Sequence, residues 1–153
     1  MNKSSRFAVA VHIMSGLALG RITGMEECVT SSKLANSVNT NPVVVRRILG
    51  VMRNAGLVTS IQGADGGSTL SRPPEQITLL DIYRAVETSQ LFHFHYAKPN
   101  SECPIGCCIL EIMQRVVDKA DAAVSSVLAN YTLRDIAEEL RERGRQRWAF
   151  LNN

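Results

Sequence analysis

Aromatic residues are scarce in this chain, and long apolar runs are missing. Phe, Trp and Tyr make up 5% of the 153 residues, which argues against a stacking platform for single-stranded nucleic acid. No stretch approaches the roughly 18 uninterrupted apolar residues of a membrane span. Lys3, Arg6 and His12 interrupt the apolar start of the chain, and no small-residue cleavage site follows. We therefore expect no signal peptide and no membrane partner.

Cysteine is also sparse, with four residues, too few for a secreted disulfide scaffold of this length. The paired spacing of a structural zinc site is missing. So are a phosphate loop, a nucleophile elbow and a metalloprotease motif. We therefore expect a cytoplasmic protein with reduced thiols that is not an enzyme and carries no metal or other cofactor.

The positive charge is concentrated in one part of the chain. The net charge is only +3, from 17 basic and 14 acidic residues. Between positions 30 and 72, however, the charged residues are five Lys or Arg against a single Asp. An excess of positive charge confined to one segment indicates an anionic binding partner more clearly than the small net charge of the whole chain does.

The same segment carries the signals of two helices joined by a turn. A first helix is predicted over residues 4–19, and a second begins near Thr30, where either Thr30 or Ser31 can supply the cap. After a turn at 38–41, Asn41 and Pro42 favour the start of a third helix. Gly56 is suited to end that helix. Four apolar residues recur on one face of it: Val45, Ile48, Leu49 and Met52.

Two short strands follow the third helix, at 57–61 and 68–71, around a glycine-rich tip at 63–67. The order of helix, short helix, turn, helix and hairpin is typical of a winged helix-turn-helix. The predicted fold is therefore mainly α, with a small β-hairpin wing in the DNA-binding domain, plus a long C-terminal dimerisation helix.

The second half of the chain has a different character. After a helix at 77–88, a connector over 89–102 leads to a long helix predicted from Cys103 to Asn130 and a last helix from Leu133. The long helix carries a helical-period apolar stripe: Ile105, Ile109, Ile112, Val116, Ala120, Ala123 and Val127. One small domain cannot bury so long a stripe, so we expect a homodimer. The predicted divisions are 1–88 for DNA binding, 89–102 as connector and 103–153 for dimerisation.

Several segments together resemble a known family. The run from Leu34 to Glu87 reads LANSVNTNPVVVRRILGVMRNAGLVTSIQGADGGSTLSRPPEQITLLDIYRAVE, and YTLRDI follows at 131–136. These segments are similar to the Rrf-two family of bacterial winged helix-turn-helix transcription regulators. The resemblance implies a homodimer that binds a palindromic double-stranded DNA operator and often represses. The connector sequence PNSECPIG resembles the branch of the family without an iron–sulfur cluster.

The exposed face of the third helix is expected in the major groove. Arg46 and Arg47 would donate to guanine or phosphate, and Val43 would meet a thymine methyl group. Thr40 and Asn41 would bond to phosphate or base from the helix N-terminus. The full set of expected DNA contacts is Lys33, Thr40, Asn41, Val43, Arg46, Arg47, Arg53, Gln62, Gly63, Gly66 and Gly67.

The remaining contacts in that set have other roles. Lys33 and Arg53 are expected on phosphates, and Gln62 near the minor groove. The glycines of the tip allow close backbone approach. Some members of the family carry an Arg where Gln62 stands, so strong minor-groove reading by arginine is not expected of this chain. The alternatives are charges that are merely solvated, or a wing domain that binds only protein.

A cysteine switch is the favoured sensing hypothesis. Cys103 is predicted at a helix N-terminus, where the dipole lowers the thiol pKa, with Cys107 one turn later. Cys28 lies before the DNA-reading helices, and in a dimer it could form a disulfide with Cys103 of the other chain. The predicted redox residues are therefore Cys28, Cys103 and Cys107.

An iron–sulfur or metal site is the alternative. By the resemblance, Cys103 falls where the last cluster cysteine stands, and the two earlier ones are missing. A site held by Cys103, Cys107 and either His93 or His95 is left open. Neighbouring helical residues diverge by about 100 degrees, so Cys107 and Cys108 are not expected to converge. Cys108 is expected to be buried as a small apolar residue.

Overall fold

The computed structural model describes residues 3–24, 28–63, 66–87 and 97–151. In chain order its elements are α1 (Lys3–Thr23), α2 (Ser31–Val38), α3 (Pro42–Asn54), β1 (Val58–Ile61), β2 (Gly67–Leu70), a short 3-10 helix (Pro74–Gln76), α4 (Leu79–Val86), α5 (Ile109–Ala129) and α6 (Leu133–Leu151). This order confirms the predicted mainly α fold with a two-stranded wing. Within the described ranges, no helix has both the length and the apolar character needed to cross a bilayer.

The first helix ends later than predicted, at Thr23 instead of residue 19. Arg21 holds the last turn in place, since its Nη1 atom donates to the carbonyl oxygens of Leu70 and Arg72, each at 3.3 Å. Gly24, with φ of 66°, then ends the helix. A long-range anchor to the end of the wing strand β2 and the residues just after it therefore extends α1, and local periodicity does not encode such an anchor.

The starts of α2 and α3 form as predicted. The Thr30 hydroxyl accepts from the Lys33 N–H at 3.3 Å, and Asn41 Oδ1 accepts from the Val43 N–H at 2.8 Å. Between the two helices Asn39 takes the left-handed conformation, with φ of 56°. Asn tolerates this conformation better than most residues, so the turn that sets the angle between the helices is locally encoded.

The wing is an antiparallel hairpin whose register runs from Val58↔Leu70 to Ile61↔Gly67. Each strand lies within one residue of its predicted position. A further segment joins this hairpin, because Val29 and Ser68 exchange backbone hydrogen bonds of 3.0 and 2.9 Å. The loop that precedes α2 is therefore fixed to the base of the wing.

The core combines α1, α3, α4 and the wing with the C-terminal helix. Leu133 and Ala137 of α6 are fully buried in the same hydrophobic cluster as Ile13, Met14 and Ile48. The start of α6 also bonds to the start of α4, through Leu79 N–H to the Tyr131 carbonyl at 2.9 Å and Leu133 N–H to the Ile77 carbonyl at 2.7 Å. The predicted domain boundaries stay predictions, but one core is shared by segments from both ends of the chain.

The long helix α5 begins at Ile109, six residues after the predicted start at Cys103. Residues 101–108 form consecutive turns instead. Asn100 organises them: its Oδ1 accepts from the Glu102 N–H at 2.9 Å and its carbonyl from the Cys103 N–H at 3.3 Å. Gly106 folds onto Asn100 so closely that a Cβ there would collide with the Asn100 carbonyl oxygen. This local packing delays the helix.

Candidate nucleic-acid interface

The outer face of α3 presents the predicted reading residues. Arg46 and Arg47 are exposed, and Val43 is 60% exposed. The helical period turns the apolar stripe of α3 inward, so the helix packs on the core and its basic face points outward: the buried residues are Val45, Ile48, Leu49 and Met52. An exposed apolar side chain between arginines suits a base edge that carries a methyl group.

At the N-terminus of α3, one side-chain hydrogen-bonding group is already occupied within the protein. Because Asn41 Oδ1 caps the helix, the exposed side-chain group of Asn41 that remains for a ligand is its amide, which donates. The neighbouring Thr40 is half-buried, and its backbone N–H bonds to the Ala35 carbonyl at 2.9 Å. Helix N-termini favour phosphate, so this end of α3 is suited to the DNA backbone. The predicted contacts of Thr40 and Asn41 stay predictions.

Arg53 connects the reading helix to the wing. Its Nη1 atom donates to the Ser60 hydroxyl of β1 at 2.5 Å. Arg53 is predicted from the sequence to contact phosphate, whereas no sequence signal singles out Ser60. The pair is not visible in the sequence, because the two residues are brought together only by the turn at Gly56, whose φ is 70°. Arg53 is thus positioned to orient the wing as well as to meet a phosphate.

The wing tip depends on its glycines for shape. Gly63 has φ of 121°, which strains any other residue. A Cβ on Gly66 would lie 2.5 Å from the Ile61 carbonyl oxygen, and one on Gly67 2.9 Å from that of Val29. Gln62 is exposed beside them. The predicted close approach of these glycines to DNA stays untested, but each has a structural reason within the wing.

The remaining predicted cation, Lys33, is exposed on α2. His12 of α1 braces the same helix, since its Nε2 atom lies 2.9 Å from the Ser37 hydroxyl oxygen. Lys33 therefore lies on a helix that is held at both ends, by the Thr30 cap at its start and by the contact between His12 and Ser37 near its end.

Cys28 lies at the base of the wing. It is half-buried, and a Cβ added to Gly67 would come within 3.2 Å of the Cys28 Cβ atom. The adjacent residue Val29 pairs with Ser68. The Cys28 Cβ atom therefore lies against the first residue of β2, which continues from the wing tip.

Cys103 does not lie at the start of the long helix as predicted. It lies in the preceding turns, half-buried. The pKa of its thiol is nevertheless lowered, first by the backbone N–H of Gly106 and then by that of Ile105. The predicted direction of the pKa shift therefore has a different physical cause, namely amides of a tight turn in place of a helix dipole.

Cys107 and Cys108 are side by side, contrary to the prediction that they diverge. Their sulfur atoms are 2.9 Å apart, and both residues are exposed. Both predictions for Cys108, divergence and burial, are wrong because these residues form turns where a helix was expected. The adjacent Cys107 sulfur raises the pKa of the Cys108 thiol, and burial and Glu111 add to the shift.

A helix-turn-helix with a wing and a basic, exposed reading helix defines a winged helix-turn-helix DNA-binding protein. The family model Rrf2, described as an iron-dependent transcriptional regulator, matches residues 3–139. The chain therefore belongs to the Rrf2 (Rrf-two) family, as its sequence indicated. The family is one of transcriptional regulators, which confirms the prediction that the chain is not an enzyme.

Individual relatives agree with this assignment. The chain is 36% identical over 137 residues to the HTH-type transcriptional regulator YwnA of Bacillus subtilis, covering 90% of this chain and 98% of YwnA. It is similar to IscR of T. potens, with 26% identity, a TM-score of 0.69 and coverage of 94% and 90%. CymR, the global cysteine regulator of B. subtilis, gives 27% identity, a TM-score of 0.65 and coverage of 91% and 98%.

The residues described here do not fit an iron or iron–sulfur group. Such a group takes several side-chain ligands, with Cys as the usual donor to clusters. In the described parts of the chain, no three His, Cys, Asp or Glu side chains are grouped to hold a metal ion. His93 and His95, predicted as alternative donors, lie outside the described residues. The cluster alternative stays a prediction.

Proposed function

We propose that this chain is a cytoplasmic, homodimeric repressor that binds a palindromic operator in double-stranded DNA. Oxidation of its cysteines lowers its affinity for that operator. The observation that carries this proposal is the outer face of α3, where Val43, Arg46 and Arg47 are exposed on a helix whose other face is buried. That arrangement leaves the side chains that would contact bases at the surface. The buried face holds the helix, and with it the direction from which these side chains project.

The apolar face of α5 supports the dimer. Ile112, Val116 and Val127 are exposed although they belong to the predicted stripe, and Val116 and Val127 are 55% and 56% exposed. Val117 is the buried residue of this helix. A contiguous apolar face of this kind is typical of a protein interface. A second α5 would cover it and would present two reading helices to half-sites about 34 Å apart.

The reading residues divide into two chemical groups. Arg46 and Arg47 can each donate two parallel hydrogen bonds to guanine, and the Val43 side chain can contact the thymine methyl group. Lys33 and Arg53 supply phosphate contacts, which add affinity without sequence preference. The wing, with Gln62 and its glycines, lies on the flank of the same surface and would approach the adjacent minor groove.

The test of DNA binding begins with selection of bound fragments from genomic DNA, followed by fluorescence anisotropy on the selected site. Arg46→Ala should lose about 1–3 kcal/mol of binding free energy and relax the preference at one base pair. Lys33→Ala should weaken binding to all sequences and lower the salt slope by about one.

The matched control is Arg143→Ala, which removes an exposed arginine of α6 paired with Glu139 at 2.6 Å. It should leave operator affinity unchanged. No binding to any DNA at low salt would overturn the proposal and favour a protein-interaction module.

The thiols support the redox part of the proposal. The lowered pKa of Cys103 increases its thiolate fraction, and the thiolate is the form that peroxides oxidise. Two thiols and one hydrogen peroxide give one disulfide and two waters. A disulfide between Cys28 and the Cys103 of a second chain would pull on the wing base, because Cys28 packs on Gly67. Cys107 is the third candidate.

The redox test compares operator affinity and non-reducing gels for peroxide-treated wild type, Cys28→Ser, Cys103→Ser and Cys107→Ser. A cross-linked dimer with weakened binding in wild type, lost in Cys28→Ser and Cys103→Ser, supports the intersubunit bond. If both variants respond to peroxide like wild type, that bond is wrong. If wild-type affinity is unchanged by peroxide, the redox control is wrong, while the DNA-binding proposal stands on its own test.

A further inference from the structure

Two exposed thiols stand together on the surface, immediately before α5. The sulfur atoms of Cys107 and Cys108 are 2.9 Å apart. The Cys107 thiol is also held from the other side, since it donates to the Pro104 carbonyl oxygen at 3.2 Å. Both side chains are exposed, so a ligand reaches both sulfurs without rearrangement of the core. This dithiol pair has no part in the reading surface on α3.

The number and spacing of the sulfurs select one class of ligand. Zinc in a structural site takes four ligands, and no third His, Cys, Asp or Glu is grouped with the pair in the described parts of the chain. Mercury(II) prefers its two sulfurs on opposite sides of the metal, which adjacent residues cannot supply. Trivalent arsenic with one organic substituent is pyramidal and takes two thiolates at neighbouring corners, which matches two close sulfurs.

We propose that Cys107 and Cys108 form a chelating site for monosubstituted trivalent arsenicals. In the reaction, two As–S bonds form and the two As–OH bonds of the dihydroxy arsenical break. Each departing hydroxyl takes a thiol proton, so two waters leave. Arsenic stays trivalent, and the reaction needs neither oxidant nor reductant.

The surroundings of the pair suit the organic substituent. Ile105 is 71% exposed, and its carbonyl accepts from the Cys108 N–H at 3.2 Å. Ile105 therefore places an exposed apolar side chain within one turn of the dithiol pair. An aryl group on the arsenic would be partly shielded there, which favours arylarsenicals over methylarsenicals.

The test uses the reduced full-length protein, without DNA, and phenylarsine oxide as the probe. Intact mass spectrometry counts bound equivalents in the presence of excess glutathione, a monothiol, and then of dithiothreitol, a dithiol. Wild type should retain one phenylarsenic group against glutathione and lose it to dithiothreitol. Chelation by two sulfurs should strengthen binding by about a hundredfold over a single thiol.

Variants assign the sulfurs. Cys107→Ser and Cys108→Ser should each lower the affinity by that factor, whereas Cys28→Ser and Cys103→Ser, the matched controls, should bind like wild type. Both sites are exposed, and circular dichroism checks that the variants fold. Loss of the adduct from wild type in glutathione, or its retention by the Cys107→Ser/Cys108→Ser double variant, overturns the proposal. Because no DNA is present, either result leaves the operator proposal untouched.

Discussion

Two helices of this protein, α3 and α5, carry apolar residues at the same helical spacing and use them in opposite ways. In α3 the stripe faces inward and is buried by the chain itself, and the basic residues face outward. In α5 much of the stripe faces outward, and Val117, which lies outside it, is the buried residue. Helical periodicity therefore identifies an apolar face but does not say which chain covers it.

The two helices also begin differently. Asn41 caps α3 through its side chain, with Pro42 at the first helical position. Cys108 precedes α5 and makes no side-chain capping hydrogen bond. The reading helix is thus fixed at its start by local chemistry, whereas the start of α5 depends on the turns around Asn100 and Gly106. Four predictions test this contrast between the helices.

The largest effect is expected from the buried face of α3. Ile48→Ala should destabilise the protein by about 2–5 kcal/mol, because the side chain is fully packed and leaves a cavity. Ile112→Ala on α5, made in a Val116→Asp background that prevents dimerisation, should change stability by less than about 0.5 kcal/mol. Urea unfolding followed by circular dichroism measures both. Equal losses would abolish the contrast.

The next effect concerns the exposed face of α5. Val116→Asp should convert the proposed dimer to a monomer and weaken binding to the proposed operator by about a hundredfold or more, because the two half-sites are no longer engaged together. Analytical ultracentrifugation and fluorescence anisotropy measure the two changes. Ala122→Asp is the control, since it places the same charge about 120 degrees around the same helix. A Val116→Asp dimer of normal affinity would mean that another surface joins the subunits.

A smaller effect is expected at the start of α3. Asn41→Ala should cost about 1 kcal/mol of folding stability through loss of its cap. Asn54→Ala removes the exposed last residue of the same helix and should cost less than about 0.5 kcal/mol. Thermal unfolding of the two variants gives the difference. If Asn41→Ala leaves folding stability unchanged, the N-cap does not stabilise α3.

The smallest effect is a difference in thiol reactivity before α5. The pKa of Cys103 is lowered by the Gly106 and Ile105 amides, and that of Cys108 is raised by its neighbour Cys107. As pH rises, the Cys103 thiolate therefore forms first. Iodoacetamide labelling across pH, read by peptide mass spectrometry, should show Cys103 alkylated at lower pH than Cys108. The opposite order of alkylation would show that the contacts in these turns do not determine the relative pKa of the two thiols.

Much of the DNA-reading unit could be predicted from the sequence because its signals are local. Thr30, Asn41 and Gly56 act within a few residues of their own positions, and each marks a boundary that the structure contains. The two strands of the hairpin lie at most one residue from their predicted positions. The family resemblance, which extends along nearly the whole chain, pointed to the same fold.

The mistakes came from interactions between residues distant in sequence or from tight turns. Arg21 extends α1 by bonding to carbonyls some fifty residues away, and Arg53 reaches Ser60 only once the wing has folded. The pattern of residues 103–108 is compatible with a helix, but Gly106 packs on Asn100 and the chain turns instead. That turn is also what brings Cys107 and Cys108 together.

The closure of the core by α6 has a consequence for how the protein is made. Leu133 and Ala137 pack with α1, more than a hundred residues earlier in the chain. Pairings of such long separation form late, since a large loop must close first. During synthesis, the reading helix would emerge well before its supporting core is complete. An unfinished chain on the ribosome would therefore carry α3 without the completed core that holds this helix in place.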